Sequence, residues 1–175
     1  MRLMLMRHAK AEKAEAGASD HARRLNARGL SDTGLIGAYI ARHELIPDAA
    51  IVSTAARTRE TWERLAAALP DPPAVTFEDR LYNAGTQATL TLVKATAPAV
   101  RTLLVIGHNP GMHDLARLLI ASGDVEARER LNENLPTAGL AVIEFAADSW
   151  RKLHPQGGRL ERFVSPRTLA EAHRV

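Results

Sequence analysis

Apolar positions along this chain fall into two alternating patterns: short unbroken runs, and longer stretches spaced three or four residues apart. Leu3-Met4-Leu5-Met6 is the first unbroken run. It is apolar on both alternating faces, as a strand covered by helices on both sides must be, so a strand is expected over Arg2 to Met6. Residues 10–28 break the pattern, with Lys10, Glu12, Lys13, Glu15, Asp20, Arg23, Arg24 and Arg28 set among small residues. This segment reads as a long loop, which in a compact domain is more often functional or mobile than regular. A helix follows Gly29, capped by Ser31 or Asp32, with Leu35, Ile36, Tyr39 and Ile40 as its stripe. Pro47 ends that segment, and Ala49 to Ser53 reads as a second strand. Ser53 or Thr54 is expected to cap the next helix, from about Ala55 to Leu69, with Trp62, Leu65, Ala66 and Leu69 facing inward. Pro70, Pro72 and Pro73 close it.

The alternation continues. Ala74 to Phe77 predicts a short strand, and Thr86 to Thr96 a helix with Leu90, Leu92 and Val93 as its apolar positions. Thr102 to Ile106 is the strongest strand pattern in the chain. Asn109-Pro110 then marks a helix start, an N-cap followed by proline at the first helical position. That helix is expected to run to about Ser122, where Gly123 stops it. Glu126 to Asn134 reads as helical or irregular. Gly139 to Phe145 and Arg159 to Val164 read as strands of an edge hairpin with Gly157-Gly158 near its turn. Strands alternating with helices and then followed by strands predict an α/β chain: a three-layer α/β/α sandwich, its sheet mostly parallel with an antiparallel edge. The length, 175 residues without an internal repeat, reads as a single domain over 1–175.

Composition narrows the function. Hydrophobic residues make up 46%, ordinary for a globular protein, and a chain of this size buries roughly 70% of its unfolded surface without staples. The absence of cysteine excludes a disulfide scaffold, thiol catalysis and a cysteine-ligated zinc site, and fits a reducing compartment. Four apolar residues between Arg2 and Arg7 are too few for a signal peptide or a membrane span, so a cytoplasmic protein without a membrane partner is expected. The net charge of +3 comes mainly from arginine, not gathered into a run, and aromatics are only 4%. That composition argues against a nucleic-acid groove. It fits a focused positive field for an anionic substrate.

The positive groups sit at telling places. In open α/β sheets, ligands bind outside the carboxyl ends of the strands. The first expected strand ends in Arg7-His8, and the strongest one in Gly107-His108-Asn109-Pro110. Arg57 falls in the first turn of a helix that follows another strand. The helix starting at Pro110 points its N-terminus, which favours anions, toward the same edge. Taken singly, a histidine at a strand end is usually a structural hydrogen-bonder, an arginine in a first turn is usually solvated, and Asn109-Pro110 is a cap. Two histidines and two arginines at the carboxyl edge of different elements form a set that chance seldom assembles.

These residues resemble the motifs of the histidine phosphatase superfamily, and within it the short SixA-type phosphohistidine phosphatases. Met6-Arg7-His8-Ala9 resembles the opening motif. Ser53 through Arg57 to Glu60-Thr61 resembles the second, Gly107-His108-Asn109-Pro110-Gly111 the third, and Leu135-Pro136-Thr137-Ala138-Gly139 the late loop. The resemblance covers roughly residues 1–145. It implies a phosphoglycerate mutase-like fold in which His8 is the phosphorylated nucleophile and Arg7, Arg57 and His108 bind phosphoryl oxygens. Phosphoryl transfer asks a protein chiefly for positioning and charge stabilisation, and arginine forks bind those oxygens while staying charged. No cofactor is implied, and no carboxylate cluster suits a metal. His8 must be neutral to attack, its other ring nitrogen held by an acceptor such as a backbone carbonyl, whereas His108 is more useful protonated. Within Glu78-Asp79-Arg80-Leu81-Tyr82-Asn83-Ala84, Asp79 is the candidate general acid, with a plain surface carboxylate as its alternative. Arg23, in Asp20-His21-Ala22-Arg23, matches a family position in the loop after the first strand; with Asn109, Thr137 and Ala138 it is a candidate substrate contact. The implied activity is hydrolysis through a phosphohistidine enzyme intermediate, and the implied partner a phosphorylated substrate, in this branch a phosphohistidine-carrying protein domain in signalling. A phosphatase of small phosphate esters or sugar phosphates stays open. A mutase fits less well, because it must keep its phosphoenzyme from water. A non-catalytic phosphate-binding module would be marked by loss of the nucleophile, and His8 is present.

Overall fold

The computed structural model describes residues 1–174 and arranges them around one seven-stranded sheet. The strands are β1 (Arg2–Arg7), β2 (Ala49–Ser53), β3 (Val75–Glu78), β4 (Thr102–Gly107), β5 (Ile120–Gly123), β6 (Leu140–Phe145) and β7 (Gly158–Val164), in the spatial order β3-β2-β4-β1-β6-β7-β5. β1 therefore lies at the centre, parallel to β4 and antiparallel to β6. β2 runs parallel to both β3 and β4. β7 is antiparallel to β6 and parallel to β5. The only reversed strand among the described residues is thus β6, inside the sheet; the antiparallel pairing expected at an edge has β5 outside it.

Helices cover both faces. Leu3 and Leu5 of β1, with Leu103 and Val105 of β4, pack under α3 (Thr86–Lys94), α4 (Gly111–Leu119) and α5 (Val125–Glu133) through Leu90, Leu115 and Leu131. Met4, Met6, Leu104 and Ile106 face the other way, against Ile36 and Ile40 of α1 (Ala27–Arg42) and Trp62 and Leu65 of α2 (Ala56–Ala66). Leu3 to Met6 are wholly buried, each worth about 1.5–3 kcal/mol of transfer free energy, and this two-sided burial is why the run is apolar without alternation.

Several boundaries differ from the sequence reading. The loop ends at Asn26, and α1 starts a turn before Ser31: the Asn26 side chain accepts from the Gly29 N–H at 2.8 Å. Gly29 lies inside the helix because the Lys10 carbonyl crosses there; a Cβ would stand 2.1 Å from its oxygen. The start of α2 has no side-chain cap. Its Ala56 N–H donates instead to the His21 carbonyl at 2.9 Å, which leaves the Ser53 and Thr54 hydroxyls for other partners. α4 stops at Leu119 rather than near Ser122, since Ile120 to Gly123 leaves the helix to pair with β7. Gly123, read as a helix stop, sits in that strand at φ +124°, where a Cβ would meet the Leu160 carbonyl oxygen at 2.5 Å. The short helix α6 (Pro166–Ala172) escaped the pattern reading although Ser165 and Thr168 form a capping box around Pro166. Among the described residues no helix is long and apolar enough to cross a membrane.

Candidate active site

The register of the two central strands builds the site. Arg7 is level with Gly107 across the parallel β1–β4 pair, so the next residues, His8 and His108, emerge side by side at the carboxyl edge. Their ring centroids are 5.3 Å apart and both side chains are buried. The His8 backbone is held on both sides: its N–H donates to the Gly107 carbonyl at 3.1 Å, and its carbonyl accepts from the Ala138 N–H at 3.1 Å.

The His8 ring has a defined proton. Nδ1 lies 2.8 Å from the Ala9 carbonyl oxygen, which can only accept, so Nδ1 carries the hydrogen. Burial pushes the His8 pKa down to about 3, helped by the charges of His108, Arg57 and Arg7 and opposed by the Ala9 carbonyl. At neutral pH the ring is neutral and Nε2 keeps its lone pair.

His108 departs from the expected imidazolium. Burial first, then the Arg57 charge, pushes its pKa down to about 4. Its Nε2 is 2.7 Å from Ser53 Oγ at the end of β2. Its Nδ1 has no protein partner. The physical reason for the difference is that two arginines and desolvation outweigh any gain from charging a ring in this pocket.

Arg7, the last residue of β1, donates through Nη1 to the Leu135 carbonyl at 3.2 Å. Asn109 Nδ2 donates to the same carbonyl at 2.8 Å, tying the 135–138 loop across the two strand ends. Arg57, in the first turn of α2, is 4% exposed. Its Nη1 donates to the Asp20 carbonyl at 2.8 Å and its Nη2 to Asp20 Oδ2 at 3.1 Å. Four buried side-chain nitrogen or oxygen atoms lack a partner among the described residues, and three of them are Arg7 Nε, Arg57 Nε and His108 Nδ1. Buried polar atoms without a partner are costly, and three of the four belong to these site candidates. No group of three or more histidine or carboxylate side chains among the described residues is placed to hold a metal ion.

The remaining expected residues lie further out. Asp79 opens a short 3₁₀ turn, Asp79–Leu81. It accepts from Thr54 Oγ1 at 2.6 Å, and that hydroxyl lies 3.0 Å from His21 Nε2. Asp79 thus lies beyond Thr54 and His21, accepting from the Thr54 hydroxyl. Arg23 binds Asp20 Oδ1 at 3.1 Å and the Glu12 carbonyl at 3.0 Å, so its fork is engaged within the loop. The Ala138 N–H is already taken by the Arg7 and His8 carbonyls. Thr137 lines a neighbouring groove with Arg130 and Phe163.

Sequence reasoning passed over Asp20, Tyr82 and Ser53. The Tyr82 hydroxyl donates to Asp20 Oδ2 at 2.5 Å, and its ring stands edge-on to both His21 and His108. Tyr82, ahead of the arginines, holds the Asp20 carboxyl down at about 2. Ser53 had a legible signal, since it ends β2 at the same edge as the two histidines. Asp20 and Tyr82 had none beyond their presence in two noted segments. Glu60 and Thr61 complete the frame: Glu60 Oε2 accepts from the Leu25 N–H at 2.8 Å, and Thr61 Oγ1 from the Ala9 N–H at 3.1 Å.

Comparison with known proteins bears on the same residues. Residues 3–91 match the histidine phosphatase superfamily (branch 1). The chain is 37% identical over 164 residues to an uncharacterized protein of Mycobacterium tuberculosis, covering 93% of this chain and 100% of that one. A provisionally named phosphohistidine phosphatase SixA from Agrobacterium tumefaciens has a crystal structure that superposes with a TM-score of 0.80 at 31% identity, covering 94% of this chain and 97% of that one. The protein histidine phosphatase SixA complexed with tungstate gives a TM-score of 0.77 at 22% identity over 97% and 99%, a likeness of fold.

Proposed function

Because the chain belongs to the histidine phosphatase superfamily, we propose that it dephosphorylates phosphohistidine on a protein through a covalent intermediate on His8. His8 Nε2 attacks phosphorus, the bond from phosphorus to the leaving nitrogen breaks, and the departing imidazole takes a proton from solvent. Water then attacks the phospho-His8, breaking the Nε2–P bond and releasing inorganic phosphate. The observation that carries this reading is the His8 ring itself. Its Nδ1 is fixed on the Ala9 carbonyl and its Nε2 is unprotonated, beside three partnerless donors from Arg7, Arg57 and His108. Those donors stabilise charge on the equatorial oxygens during transfer and need no rearrangement to do so. Asn109 holds the 135–138 loop in place beside Arg7.

The preference for a phosphohistidine substrate is supported by its leaving group. Asp79 accepts from Thr54 Oγ1, and a phosphohistidine substrate lessens the need for a strong acid because its imidazole leaves well once protonated. Turnover of a phosphohistidine protein, side by side with a panel of small phosphate esters, tests this. The expected result is a clear preference in kcat/KM for the phosphoprotein. Faster turnover of a sugar phosphate would move the assignment to small esters, and full activity in His8→Ala would end the mechanism.

A further inference from the structure

We propose that Asp20 is a positioning residue that orients the Arg57 guanidinium, holding one edge of it so that another is presented to the phosphoryl group; this rests on the reading of Arg57 as a phosphoryl ligand. Asp20 offers Arg57 two acceptors, its backbone carbonyl to Nη1 at 2.8 Å and its Oδ2 to Nη2 at 3.1 Å. These contacts engage both terminal nitrogens and leave Nε without a protein partner. A guanidinium carries five N–H donors in a fixed plane. The Nε hydrogen and the second Nη2 hydrogen form its side edge, and Nε is buried without a protein partner. That side edge matches two oxygens of a phosphoryl group bidentately.

Asp20 is itself immobilised. Tyr82 donates to the same Oδ2 at 2.5 Å, and Arg23 donates to Oδ1 at 3.1 Å while bound to the Glu12 carbonyl. The neighbouring His21 carbonyl accepts from the Ala56 N–H, one residue before Arg57, so loop and helix start form one unit. A guanidinium only 4% exposed needs a counter-charge, and Asp20 supplies it through Nη2. The rival reading makes the Asp20 carboxylate a stand-in for phosphate that substrate must expel. The two readings predict opposite signs when the carboxylate is removed.

The test compares wild type, Asp20→Ala and Asp20→Asn. Tungstate affinity is measured by calorimetry, kcat and KM with an aryl phosphate, and the unfolding temperature is measured alongside. Tungstate should bind Asp20→Ala about tenfold more weakly, with KM raised in parallel, and Asp20→Asn should recover most of the loss because its amide oxygen still accepts from Nη2. Equal or tighter tungstate binding in Asp20→Ala, or no recovery in Asp20→Asn, overturns the proposal. Wild-type protein that binds tungstate but turns over no phosphate compound would refute the enzymatic reading while leaving the Asp20–Arg57 arrangement to be judged by affinity alone. Wild-type protein that fails to bind tungstate removes both.

Discussion

Two imidazoles 5.3 Å apart cannot both be charged beside two arginines, and here both are neutral. Their neutrality has a kinetic consequence. Protonated His8 has no lone pair on Nε2, so kcat/KM should fall on the acid side as His8 titrates near pH 3 and should show no acid limb near pH 6, in a pH–rate profile corrected for unfolding. A limb near pH 6 that stays in place with substrates of different phosphoryl pKa would mean that His8 has an ordinary pKa. In the proposed reaction His108 donates from a neutral ring, so His108→Asn, which keeps an N–H, should retain more activity than His108→Ala, with the loss mainly in kcat. Arg7, His8, Arg57 and His108 were legible because each stands at a strand end or a helix start. The protonation state of His108 was not, since it depends on burial that only the assembled layers create. Asp20 and Tyr82 were hidden for a related reason. Their contact joins residues 62 positions apart, and no local pattern registers it.

At the scale of elements, the site is a product of strand register. The level pairing of Arg7 with Gly107 places the histidines together, and both runs are buried on two faces beneath the helices. Leu5→Ala should therefore cost about 2–5 kcal/mol in denaturant unfolding, a cavity effect at a wholly buried position. The capping residue of α1 was misread by a turn because Gly29 resembles a breaker until the Lys10 carbonyl is seen lying against it. Asn26→Ala should cost about 1 kcal/mol, and Ser31→Ala almost nothing, when unfolding is followed by circular dichroism. The same limit produced the error at α4. Met112, Leu115, Ala116 and Leu119 keep a helical spacing into Ile120, and only pairing with β7 reveals the strand.

For the molecule as a whole, the two buried histidines couple the site to stability. Each has a folded pKa below its unfolded value near 6.5, so the unfolded chain binds more protons in between, and stability is full above about pH 6.5 and falls as pH drops toward 4 and 3. The slope is at most about 1.4 kcal/mol per pH unit for each ring, and His108→Gln should flatten it in urea titrations between pH 4 and 6.5. The mostly parallel sheet under two helical layers was readable from the alternation of runs, whereas the reversed strand inside it was not, because β6 and a hairpin edge carry the same pattern. The central claim remains that His8 carries the phosphoryl group. Its most direct measurement is brief reaction with a 32P-labelled phosphohistidine protein, followed by quenching in base, digestion and identification of the labelled peptide. Acid-labile label is expected on the peptide containing His8, and none in His8→Ala. Label on another residue, or undiminished label in His8→Ala, would contradict it.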